Sequence, residues 1–88
     1  MSDLDRAERI WHDWIVDACE RVDVDPASVD VTDIHALTRV IAHEFERPMA
    51  PVGAFILGVA MGRHPDADPH ALREALETTV TERGAVRG

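Results

Sequence analysis

Hydrophobic residues recur every three or four positions along the first half of the chain, which is the spacing of amphipathic helices. This pattern predicts a first helix over about residues 3–22 and a second over about residues 32–46. Asp25 and Pro26 mark the turn between them, and Thr32 is the expected cap of the second helix. The buried face expected for the second helix consists of Ile34, Leu37, Val40, Ile41 and Phe45.

The next segment is almost uncharged and predicts a third helix over about residues 51–61. Pro48 should end the second helix, because proline disfavours the helical conformation at the residue before it. Pro51 suits the first turn of the third helix, and Gly62 is the expected left-handed stop.

The third helix is apolar around its whole circumference, so we expect it to be the central helix, covered on most sides by the others. The apolar run from Met49 to Met61 is shorter than the ~20 residues that span a bilayer, which excludes a membrane span. Gly53 and Gly58 cost helix stability and therefore predict close approach of a neighbouring helix.

A fourth helix is predicted over about residues 69–83, with Asp68 as its cap, Pro69 in its first turn and Gly84 as its stop. No segment shows the alternation typical of a strand. The predicted fold is therefore all-α, a compact four-helix bundle with a central apolar third helix, formed by residues 1–88 as a single domain.

The chain is acidic, with a net charge of −8 from 17 acidic residues against nine arginines and no lysine. Such a surface repels polyanions, which argues against nucleic-acid binding. Cys19 is the only cysteine, so no intramolecular disulfide can form. The acidic N-terminus lacks the features of a signal peptide, and we therefore expect a cytoplasmic location.

The histidines do not form a recognisable metal or catalytic motif. His35 and His43 are eight positions apart, whereas two ligands on one helix normally sit four apart. In the loop of residues 64–70, His64 and His70 accompany aspartates, but Asp68 already has a role as a helix cap. The sequence predicts no enzymatic activity, no cofactor and no metal, and the loop remains an alternative metal site.

The segment of residues 47–51, here called the Arg47 corner, is the strongest candidate for function. Arg47 could cap the carbonyl end of the second helix, or project from the corner between Pro48 and Pro51 to bind a carboxylate or phosphate. Arg39 and His43 share the polar face of the preceding helix. These five residues are the candidate binding site for a partner protein or a small acidic ligand.

Trp11 and Trp14 lie on the apolar stripe of the first helix. Both are expected in the core, although Trp14 is the better candidate for a partly exposed anchor, since tryptophan is enriched at binding hot spots. The stripe is wide for three small neighbours to cover. Self-association into a homodimer through this helix is therefore left open.

Several segments together resemble a known family. They are Trp14, the end of the second helix at residues 40–48 (VIAHEFERP), Ala50 with Pro51, and residues 55–58 (FILG). The likeness covers about residues 11–62 and is to an uncharacterised small helical domain of high-GC Gram-positive bacteria. The chain departs from the family pattern at Met49 and Glu44, which affects the corner rather than the fold.

Members of that family occur alone or fused to the nucleotidyltransferase that attaches a guanine nucleotide to molybdopterin. The resemblance therefore implies a link to molybdenum-cofactor biosynthesis. We expect a non-enzymatic accessory domain whose partner is such a nucleotidyltransferase or a molybdoenzyme. The alternative is a small-ligand or metal-binding protein that uses the Arg47 corner or the loop of residues 64–70.

Overall fold

The structure, a computed structural model, describes the backbone of residues 3–87 and the side chains of residues 3 and 5–83. Within this part the chain forms four α-helices and no strand, which confirms the all-α prediction. They are α1 (Asp3–Val22), α2 (Val31–Glu44), α3 (Ala50–Arg63) and α4 (Pro69–Arg87), with two short 3-10 helices at Pro26–Ser28 and Arg47–Met49.

The chain divides into two compact units, an N-terminal unit (Met1–Asp30) and a C-terminal unit (Val31–Gly88). The prediction of one domain over residues 1–88 remains a prediction. Among the described helices, none combines the length and hydropathy that a membrane crossing requires.

In the N-terminal unit, α1 ends in a left-handed residue that is not glycine. Asp23 has φ 59°, and the Val24 amide donates to the Cys19 carbonyl at 2.9 Å. This is the hydrogen bond of a Schellman motif, and aspartate is one of the few residues that tolerates the left-handed position. The chain then enters the first 3-10 helix, where the Asp25 carboxylate accepts from the Ala27 amide at 2.9 Å. The predicted turn at Asp25 is confirmed.

In the C-terminal unit, α2, α3 and α4 all contact one another. Their common core consists of Leu37, Ile41, Leu57 and Val80. Packed against it are Val40, Phe45, Ala50, Met61, Leu72 and Leu76. Most of the expected buried face of α2 is therefore in place, and α4 contributes Leu72, Leu76 and Val80 to the core.

Four helix termini differ from their predictions. Helix α2 begins at Val31, so Thr32 lies inside the helix rather than capping it. It ends at Glu44 instead of residue 46, because Glu46 is already extended (φ −140°, ψ 131°) ahead of Pro48. Helix α3 continues through Gly62 to Arg63, and α4 continues past Gly84, since no described glycine has positive φ.

The glycines of α3 separate into two kinds. A Cβ atom at Gly53 would collide with Cδ1 of Ile41, which confirms that α2 approaches closely there. At Gly58 and Gly62 a Cβ atom would meet no described atom within 4 Å. The expected close approach at Gly58 is therefore wrong: α3 packs along the side that carries Gly53 and Leu57, and its other side is open.

Candidate functional site

The Arg47 corner is held by backbone hydrogen bonds and by proline. The Met49 amide donates to the Glu46 carbonyl at 3.0 Å, and the Ala50 amide donates to the Arg47 carbonyl. Pro48 and Pro51 each occupy a first-turn position, of the 3-10 helix and of α3 respectively, where a missing amide hydrogen costs nothing. The corner is therefore a rigid junction between α2 and α3.

Arg47 itself is exposed, and its guanidinium makes no hydrogen bond or ion pair with any described residue. The interpretation of Arg47 as a hydrogen-bonding cap of the α2 carbonyls is therefore not supported. The corner sets the position of Arg47 in the chain, but its guanidinium has no described partner in the corner. Pro48 and Pro51 are also exposed.

Arg39 and His43 are exposed on α2, one helical turn apart, as the sequence predicts. Neither makes a hydrogen bond or ion pair to a described residue. A guanidinium without a partner in the described fold, such as that of Arg39, remains able to bind an anion or a carboxylate.

The open side of α3 carries large apolar side chains and is here called the α3 outer face. Its members are Val52, Phe55, Ile56 and Val59, all of them exposed, and Phe55 most of all at 73%. They fall at positions three or four apart around one side of the helix. Helix α3 contains no acidic residue, and its one charged residue is Arg63 at the C-terminal end.

The α3 outer face begins directly after the Arg47 corner in the chain. Pro51 and Val52 belong to the first turn of α3, so apolar surface and the exposed arginine are neighbours in sequence. In a protein of net charge −8, this apolar segment is framed by arginines alone, Arg47 before it and Arg63 at its end. Contiguous exposed apolar surface of this kind typically marks an interaction site.

A second set of chemically active side chains joins α2 to α4. Asp33, in the first turn of α2, is 8% exposed, and its Oδ1 lies 2.6 Å from Nε of Arg73. Nδ1 of His70 lies 3.0 Å from the same oxygen. Nη1 of Arg73 also donates to Oε1 of Glu77. We call Asp33, His70, Arg73 and Glu77 the Asp33 cluster.

Arg73 is largely covered by this arrangement, with 19% of its side chain exposed. Its Nε is close to Asp33 but not aligned to donate, so that contact is an ion pair rather than a hydrogen bond. Desolvation lowers the pKa of Arg73, and the attraction of Glu77 and Asp33 raises it by more, so the net pKa lies above its ordinary value.

The raised pKa determines how the contribution of Arg73 to stability responds to pH. A base whose pKa rises on folding stabilises the fold below its unfolded pKa, and that contribution is lost only as the pH climbs through the folded value. For Arg73 the pKa of the unfolded chain and that of the folded chain both lie above the pH range in which proteins normally function. The guanidinium is therefore charged throughout, and it acts here as a structural cation.

The loop of residues 64–70 is divided between structural roles. Oδ1 of Asp68 accepts from the His70 amide at 3.0 Å, which confirms Asp68 as the cap of α4. The His70 ring is turned to Asp33 in the Asp33 cluster. The Ala67 amide donates to the His64 carbonyl at 3.0 Å and closes the turn. Asp68 and His70 thus have structural partners, and His64 and Asp66 remain exposed.

Sequence reasoning did not identify the Asp33 cluster. A signal was present, because Asp33 precedes Leu37 and Ile41 at four-residue spacing and so falls on the buried side of α2. Arg73 and Glu77 are likewise spaced as an ion pair on α4. Only the packing of α4 against α2 shows that the two sets meet.

Comparison with known proteins gives one family. The profile of a domain of unknown function, DUF6457, matches residues 6–86, and the chain belongs to this family. This agrees with the resemblance to an uncharacterised small helical domain. No curated protein matches the chain, and no solved structure matches it either.

Proposed function

We propose that this member of the DUF6457 family is a non-catalytic docking domain, which binds a partner protein through the α3 outer face and the Arg47 corner. The observation that carries the proposal is the exposure of Val52, Phe55, Ile56 and Val59 on a helix without acidic residues. Burying side chains of this kind supplies most of the free energy of protein association.

The charges around this surface define the partner's chemistry. Arg47 is exposed without a described partner, and Arg63 is exposed at the far end of α3. The matching surface is an apolar patch or amphipathic helix edged by carboxylates, because arginine pairs with them in bidentate geometry. Arg39 and His43 extend the same preference along α2.

The resemblance of residues 11–62 to domains fused to molybdopterin guanine nucleotidyltransferases supports the choice of partner. We assign the domain an accessory role in molybdenum-cofactor biosynthesis, docked in the cytoplasm on such a nucleotidyltransferase or on a molybdoenzyme. The pairing of buried Asp33 with Arg73 supports a non-catalytic role, since that carboxylate is committed to a structural ion pair.

Isothermal titration calorimetry with the purified nucleotidyltransferase, and separately with a molybdoenzyme, of the same host tests this proposal. Phe55→Asp and Arg47→Glu should each weaken binding at least tenfold, because one places a charge in the apolar contact and the other reverses the pairing charge. The matched controls are Val16→Asp on the polar side of α1 and Arg83→Glu on α4, which should bind as the unaltered chain does. Equal binding by Phe55→Asp and the unaltered chain would overturn the proposal.

A second candidate function is recognition of a small acidic ligand at the Arg47 corner, favoured by the exposed guanidinium. Titration of the isolated chain with inorganic phosphate and with guanosine monophosphate distinguishes the two functions. Saturable heat that is lost in Arg47→Glu but kept in Phe55→Asp supports a ligand site. If neither phosphate nor guanosine monophosphate gives binding heat, but the nucleotidyltransferase or molybdoenzyme does, the result supports docking.

A further inference from the structure

We draw no further inference here: the strongest candidate, the exposed apolar stripe of α1 formed by Ile10, Trp11, Trp14 and Val22, carries none, because nothing in the part of the chain that the structure describes shows what covers it.

Discussion

The contact between α2 and α4 and the α3 outer face are built from the same kinds of residue, and the C-terminal unit uses them in opposite ways. Where α2 meets α4, apolar Leu37 is fully covered and Arg73 is paired with carboxylates. On the α3 outer face, Phe55 is mostly exposed, and Arg47 in the preceding corner has no described partner. The first region uses its side chains to stabilise the fold, whereas the side chains of the second region are exposed.

This difference shows that residue type does not separate structure from function in a small domain. The aspartates beside His64 and His70 invite a metal hypothesis for the loop of residues 64–70, but the His70 ring faces Asp33 of α2. An apolar helix invites a core interpretation, but half of α3 is open. It is more informative to know which polar groups already have partners within the fold and which apolar side chains it already buries.

The largest expected effect comes from the core. Leu37→Ala should lower the free energy of unfolding by about 3 kcal/mol, because Leu37 has no exposed surface and its removal leaves a cavity. Val59→Ala, on the α3 outer face, should change it by less than about 0.5 kcal/mol. Urea denaturation measures both, and similar losses in the two variants would remove the distinction between the regions.

The next effect comes from the Asp33 cluster. Asp33→Ala should cost about 2 kcal/mol, since it removes the acceptor for His70 and the partner of Arg73 at a buried position. Asp66→Ala provides the control, because Asp66 is exposed in the loop and makes no described side-chain contact. A loss below about 0.5 kcal/mol for Asp33→Ala would mean that the cluster is not structural.

A matched pair of glycines gives a smaller effect of opposite sign. Gly58→Ala should stabilise the chain by about 0.5 to 1 kcal/mol, because alanine favours the helix and a Cβ there meets nothing. Gly53→Ala should destabilise it by about 1 kcal/mol, because the new Cβ displaces the Ile41 side chain from a packed core. Thermal denaturation compares the two, and stabilisation by both substitutions would place Gly53 on an open side.

Much of the fold could be predicted from the sequence. Local signals were sufficient for α1, for the turn at Asp25 and for the cap at Asp68, because both aspartates act on amides two residues away. The left-handed Asp23 was missed, since the sequence offers no glycine there. Asp33 was missed because its partner Arg73 comes from another helix, and local periodicity carries no information about such distant pairs.

In the candidate site, too, features that depend on neighbouring residues could be predicted, and features that depend on tertiary packing could not. The predicted places of Pro48 after α2 and of Pro51 in the first turn of α3 are confirmed, because proline constrains only its own neighbourhood. The exposure of Phe55 was not predicted, since an all-apolar helix does not indicate which side its neighbours cover. Burial depends on tertiary packing, which the pattern alone leaves open.

The most direct test of the account is the free energy of unfolding of Phe55→Asp in the isolated chain, measured by urea denaturation at several protein concentrations. Because the side chains of the α3 outer face are exposed, the expected change in the free energy of unfolding is less than about 0.5 kcal/mol at every concentration. A loss of more than about 2 kcal/mol would contradict it, because Phe55 would then be a core residue of the free protein.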